Sequence, residues 1–257
     1  MVAWRLAKVS VAVRKGRSVV DEGDVNAYSD AWFRFFLEAP DAGQTLREVE
    51  FLRRNLPGER YRRILDACCG YGRHAIPLAR AGYEVMGIDR NPEVIARAVT
   101  VAGPDGPSFV TWPMERIGDL NFRPDAVICM WQSFGYFSAE GNSDVLAQIG
   151  AMLSPGGRLV MDIYHRGFFD TRQGTRTSQV GDIDLVTTQT VTGDRLWVEL
   201  DYGDGGDVFE WQVFTPDEFV AEAGRHGFTP KVACTGFDET NAPSADSPRM
   251  QFVLERD

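Results

Sequence analysis

Lysine, histidine and paired cysteine are what this 257-residue sequence has least of. Lysine stands only at Lys8, Lys15 and Lys231, and histidine only at His74, His165 and His226. Acidic residues outnumber basic ones by 37 to 27, a net charge of −10, which argues against a nucleic-acid backbone as partner because phosphate binding runs on clustered Lys and Arg. The four cysteines, Cys68, Cys69, Cys129 and Cys234, form no C-x-x-C pair and no metal-ligand spacing. No metal site is therefore expected, and a reduced, cytoplasmic setting fits best. No stretch approaches the ~20 apolar residues of a membrane span. Residues 1–18 are basic and free of acid, but they lack the apolar run of a secretory signal and read as an arm.

What the sequence does hold is 44% hydrophobic residues, enough for a full core in one large α/β domain with an insertion. Its organising stretch is Ile64-Leu65-Asp66-Ala67-Cys68-Cys69-Gly70-Tyr71-Gly72-Arg73-His74, closed by Met86-Gly87-Ile88-Asp89-Arg90. This reads as strand, glycine turn, helix, second strand and acidic tip, the opening βαβ unit of a nucleotide-binding sheet. Upstream, 26–38 reads as a short helix with Tyr28, Trp32, Phe35 and Phe36 on one side, a core stripe that doubles as a lid. Residues 45–56 read as an amphipathic helix stopped by Pro57-Gly58. Downstream, 108–111 and the apolar run 126–130 read as strands, 143–153 as a helix and 158–163 as the fifth strand. The pattern then turns to meander: 183–191, 195–202 and 208–214 predict a three-stranded antiparallel excursion. Thr215-Pro216-Asp217-Glu218 opens a last helix with a capping box, Gly227 closes it, and 229–236 and 250–255 supply the final strands.

Gly70-Tyr71-Gly72-Arg73-His74-Ala75 matches G-x-G-x-x-A, with Asp89 at the distance of a ribose-binding acid. Asp66 separates the cofactor classes. A carboxylate just ahead of the glycines repels a pyrophosphate, whereas S-adenosylmethionine presents an ammonium and a sulfonium that suit it. Asp89 serves either cofactor, since its two oxygens can accept from both ribose hydroxyls. An NAD-dependent oxidoreductase is the alternative on these residues.

The ordered motifs resemble the class I S-adenosylmethionine-dependent methyltransferases over about residues 45–165. They are Leu65-Asp66-x-x-Cys69-Gly70-x-Gly72-Arg73-His74, Gly82-Tyr83-x-Val85-x-Gly87-Ile88-Asp89, Ser133-Phe134-Gly135-Tyr136-Phe137 and Leu153-Ser154-Pro155-Gly156-Gly157. Within the family the pattern is most similar to a bacterial small-molecule branch with an antiparallel insertion. The resemblance implies an α/β, doubly wound, Rossmann-like seven-stranded sheet, last strand antiparallel, with the insertion after strand five. Its parts are an arm and lid helix over 1–44, a cofactor-binding core over 45–165, an acceptor lid over 166–214 and a return to the sheet over 215–257. It implies S-adenosylmethionine held by Tyr28, Asp66, Cys68, Gly70, Gly72, Arg73, Asp89, Arg90, Met114, Glu115 and Trp131. Two positions depart from the family: Cys68 replaces the first glycine of the loop, and Pro113 stands where an acid often receives the adenine amino group.

The implied reaction moves a methyl to nitrogen, with oxygen or carbon less favoured, of a small molecule in the manner of natural-product tailoring. Displacement from a sulfonium asks chiefly for alignment, while a hydroxyl acceptor also wants a base. His165 and Tyr136, at carboxyl ends of strands, are the expected catalytic residues. Phe134, Tyr136, Tyr164, His165, Trp197, Trp211 and Arg249 are expected to contact an apolar or aromatic acceptor. Neither nucleic acid nor membrane is expected as a partner, and a homodimer is compatible with the reading. A protein that binds S-adenosylmethionine without transferring methyl is a further alternative. His74, His226 and Cys69 read as structural, and Asp201, Asp204 and Asp207 as solvated turn residues.

Overall fold

Three almost wholly apolar runs, β1 (Arg63–Ala67), β4 (Ala126–Cys129) and β5 (Arg158–Tyr164), lie side by side in a sheet covered on both faces. The computed structural model describes residues 25–37 and 42–257, and the arm expected over 1–18 lies outside them. β2 (Glu84–Asp89) and β3 (Ser108–Thr111) extend the sheet one way. β11 (Arg249–Arg256) and β10 (Phe228–Cys234) extend it the other, in the order β10-β11-β5-β4-β1-β2-β3. β11 runs antiparallel to both its neighbours. Strand order reverses between β1 and β4, so a crevice opens beyond their carboxyl ends. The glycine turn leaves β1 there, and residues 131–137 leave β4.

Alternating strand residues feed two cores. On one face α2 (Ala42–Asn55) and α3 (Ala75–Arg80) bury Phe51, Leu52 and Leu78 against Ile64, Ile128 and Val160. On the other, α5 (Ala139–Met152) and α7 (Pro216–Arg225) bury Leu146, Ile149 and Phe219 against Leu65, Val127 and Leu159. α4 (Pro92–Ala102), capped by the Asn91 side chain, links β2 to β3.

The insertion is a separate sheet of four strands rather than the expected three: β6 (Gly174–Val180), β7 (Ile183–Thr192), β8 (Arg195–Asp201) and β9 (Gly206–Gln212). β6 carries Thr, Arg, Ser and Gln at an edge, so it shows no apolar alternation to read. The short helix α6 (Arg166–Asp170) precedes it. The lid helix begins later than Asn26, which holds a left-handed φ of 64°. Ser29 caps α1 (Asp30–Trp32), which widens into a π-helical turn, Phe33–Leu37. Ser138 likewise starts α5 four residues before the expected 143.

The lid is tied to the insertion. The Asn26 N–H donates to the Val208 carbonyl at 2.8 Å, and its side-chain amide exchanges two hydrogen bonds with the Glu210 backbone at 2.9 and 3.3 Å. The Ser29 backbone and hydroxyl donate to the Asp207 carboxylate at 3.0 and 2.7 Å, and the Tyr202 hydroxyl donates to it at 2.6 Å. Asp207 is thus a buried anchor, not a solvated turn residue. Tyr28, Trp32, Phe35 and Phe36 pack into the insertion's apolar core of Phe168, Phe169, Leu196, Phe209 and Trp211.

Candidate functional site

β1 carries Asp66 next to its end at Ala67, and the chain then takes left-handed backbone at Cys68 (φ 61°), Gly70 (55°) and Gly72 (80°). Cys68 thus adopts the conformation of the glycine it replaces, with its sulfur 3.8 Å from that of Met114. At Gly72 no larger residue fits, because a Cβ would lie 2.7 Å from the Phe109 ring. Asp89, at the tip of β2, accepts from the Gly70 N–H at 3.2 Å and the Asn91 N–H at 3.0 Å, which aims its carboxylate at the turn. Met114 is buried beside Cys68, whereas the Glu115 side chain is exposed. Arg90 turns to the lid, donating to the Asn26 carbonyl with its guanidinium 5.9 Å from the centre of the Tyr28 ring.

Two orphaned buried atoms face this turn. Asp66 is 1% exposed, and its Oδ2 has no hydrogen-bond partner. Burial raises its carboxyl to about 7, against Arg73 and the Ala75 N–H, which pull it down. Arg73 spends Nη1 on Glu48 and on the Thr45 hydroxyl, while its Nη2 is buried without a partner. A bare acceptor of acidic character and a bare cationic donor, electrostatically coupled to each other, fit the ammonium and carboxylate of an amino-acid terminus. A pyrophosphate could use the donor, but the carboxylate would repel it. An ammonium needs Asp66 ionised, so affinity for S-adenosylhomocysteine is expected to fall about tenfold per pH unit below 7. Calorimetry across pH reads this slope, and Asp66→Asn should flatten it.

Behind Arg73 lies a charged hub that the sequence does not announce. Glu48 of α2 is fully buried and bonds Arg73, His74 at 2.8 Å and the Trp131 indole N–H at 3.3 Å. Burial pushes its carboxyl up, but hydrogen bonds from His74 and Gln44 and the charge of Arg73 outweigh this and keep it ionised. His74, by contrast, is lowered to about 4 by burial and by Arg73, so it is neutral and donates. Arg249 donates to Asp162 at 2.7 Å, and Asp162 also accepts from Gln251 and from the Trp131 backbone N–H. The guanidiniums of Arg73 and Arg249 lie 4.8 and 5.7 Å from the Trp131 ring centre. Trp131, expected among the cofactor-holding residues, bonds to this hub and takes a left-handed backbone conformation (φ 58°). Arg249 belongs with it, and stands opposite Tyr164 in the β5–β11 pairing.

The other half of the crevice is aromatic. The Tyr28 and Tyr136 hydroxyls hydrogen-bond each other. Tyr136 packs on Trp211 at 5.4 Å between ring centres, and Trp211 on Tyr164 at 5.2 Å. These three expected acceptor residues come together, and three others do not. Phe134 is core, packed on Phe214 and Phe219. Trp197 lies on the outer face of β8, its N–H on the exposed Glu199, because its neighbours Leu196 and Val198 take the inner face. The His165 ring packs against Gly167, near Ala245, while its backbone pairs with Phe214 and Pro248. It is buried with its Nδ1 unpartnered, and burial lowers its pKa. Glu48, Asp162 and Gln251 are the residues sequence reasoning missed; a glutamate on the apolar face of α2, four residues before Leu52, was the available signal.

Residues 64–157 match the family described as "Methyltransferase domain". Among curated proteins, the putative methyltransferase YqeM of Bacillus subtilis is 28% identical over 76% of this chain and 84% of its own length. The glycine/sarcosine N-methyltransferase of Aphanothece halophytica is 29% identical over 57% of this chain, which spans 59% of that relative. In solved structures the fold recurs in an S-adenosylmethionine-dependent methyltransferase from Clostridium acetobutylicum (TM-score 0.72, 12% identity, 88% of this chain and 96% of that one). It recurs also in S-adenosylmethionine-bound CalS10, an amino pentose methyltransferase from Micromonospora echinaspora (TM-score 0.66, 20% identity, 90% and 98%).

Proposed function

We propose, for a chain that belongs to the class I S-adenosylmethionine-dependent methyltransferases, that the acceptor is a nitrogen of a small molecule and that transfer is a direct displacement. The observation behind this reading is the character of the aromatic half of the crevice. Its hydroxyls belong to Tyr28, Tyr136 and Tyr164; burial holds the first two well above the ordinary tyrosine range and pushes Tyr164 up to about 12. None of these three hydroxyls gives up its proton at neutral pH. A hydroxyl acceptor wants a base at this place, whereas a neutral amine needs none. A relative that is a glycine/sarcosine N-methyltransferase points the same way.

S-adenosylmethionine, when bound, supplies a methyl activated by a sulfonium leaving group. The chain's own work is placement. Asp66 takes an ammonium, Arg73 a carboxylate and Asp89 ribose hydroxyls, while Met114 flanks the base. The lid and the aromatic wall exclude water and hold the acceptor. A role in natural-product tailoring and a reducing, cytoplasmic setting belong to the same proposal; the four free cysteines support the setting. Among the described residues no helix is long and apolar enough to cross a membrane. Radiolabel transfer to a panel of small amines and phenols is the test, with label expected in amines. Label in phenols alone moves the acceptor to oxygen, and binding of NADH without S-adenosylmethionine overturns the reading.

A further inference from the structure

A neutral amine reacts through one lone pair, and something must turn that lone pair toward the methyl while holding the N–H bonds away from it. Two hydroxyls meet where this is needed. Tyr28 comes from the lid and Tyr136 from the loop after β4, and their oxygens share a hydrogen bond across the seam between lid and core. Each ring is fixed from behind: Tyr28 lies 4.4 Å from Trp32 and 4.9 Å from Phe209, and Tyr136 lies 5.4 Å from Trp211. Both rings pack against the apolar core of the insertion, and Tyr136 stands in the loop that leaves the carboxyl end of β4, so the pair lies at the aromatic side of the crevice. One hydroxyl hydrogen is used within the pair. The donating oxygen keeps two lone pairs, and the accepting oxygen keeps one lone pair and its own hydrogen, so the pair presents three acceptor sites for N–H bonds beside one O–H.

Resting on the reading of nitrogen transfer, we propose that Tyr28 and Tyr136 together receive the N–H bonds of the acceptor and confine the enzyme to amines that still carry one. An amine bound this way directs its lone pair away from the oxygens. The N–C bond forms as the C–S bond breaks, the sulfur keeps that electron pair, and the ammonium product gives an N–H proton to water once the lid opens. A tertiary amine has no N–H left to offer. Methylation therefore stops there, and no quaternary ammonium forms.

The test uses the full chain with labelled S-adenosylmethionine and a panel of aliphatic, benzylic and amino-acid amines, each as the primary, N-methyl and N,N-dimethyl compound. Label is expected in primary and secondary amines and in none of the tertiary ones. Tyr28→Phe and Tyr136→Phe should each lower kcat about tenfold or more, with S-adenosylhomocysteine binding of Tyr136→Phe unchanged by calorimetry. The double variant should fall little below the worse single one, because the two act as a unit. Tertiary amines labelled as fast as secondary ones, or single variants with parental kcat, overturn the proposal. Label in no amine overturns the nitrogen reading beneath it, and this pair's role with it.

Discussion

Arg73→Leu is expected to bind S-adenosylhomocysteine about 30- to 150-fold more weakly than the parent, a loss of ~2–3 kcal/mol, while binding methylthioadenosine as well as before. The two ligands share adenine, ribose and sulfur and differ in the amino-acid end. A charge-assisted hydrogen bond from the bare Nη2 of Arg73 is available only to the ligand that carries a carboxylate. Loss of fold weakens both ligands, so the difference between them isolates the cradle. Equal weakening of both by calorimetry removes Arg73 from the carboxylate site and leaves it a member of the hub. Asp89→Ala makes the complementary case: it acts on the ribose that both ligands possess, and both should weaken.

Glu48→Ala should lower stability by about 3–5 kcal/mol, because it removes the fully buried carboxylate that pairs the largely buried Arg73 guanidinium. For a domain of this size that corresponds to a fall of roughly 10 °C in Tm, readable by calorimetry of the free protein. The exposed pair Arg54–Glu239, at 3.0 Å, has shorter contacts than many surface pairs, yet Glu239→Ala should cost under about 1 kcal/mol. Burial, not distance, separates the two cases. Glu48→Gln combined with Arg73→Leu should be milder than the sum of the single changes, since neither charge is then left alone. Strict additivity means that the two residues do not act on each other.

The cofactor half of the crevice was legible because its chemistry is local. Asp66, Gly70, Gly72 and Asp89 sit on one strand–turn–helix–strand unit whose geometry the backbone fixes, and even Cys68 follows the glycine conformation. The acceptor half depends on which way side chains point after distant pieces dock. Trp211 and Trp197 have the same composition and neighbouring positions in the insertion, yet only Trp211 faces inward, opposite Leu196. The alternation Leu196-Trp197-Val198-Glu199-Leu200 already held that answer, because a one-residue step in a strand changes the face. No such pattern marks Phe134, whose loop position resembles that of Tyr136 until α7 covers it. Glu48 could be placed on the apolar face of α2, four residues before Leu52, but its partners Arg73, His74 and Trp131 come to it only in the folded chain. β6 was missed because an edge strand need not be apolar.

The hydrogen bonds that tie Asn26 and Ser29 to β9 bear on how such an enzyme is re-engineered. β9 is an edge of the four-stranded sheet, and the Asn26 side chain covers its open backbone groups as a neighbouring strand would. A chimaera that receives residues 174–212 from another enzyme, in exchange for a different acceptor, therefore inherits only part of the working piece. Unless 25–37 travel with it, the transplanted edge is left bare and ready to pair with a second chain, and the recipient gains an aggregation hazard along with its new pocket.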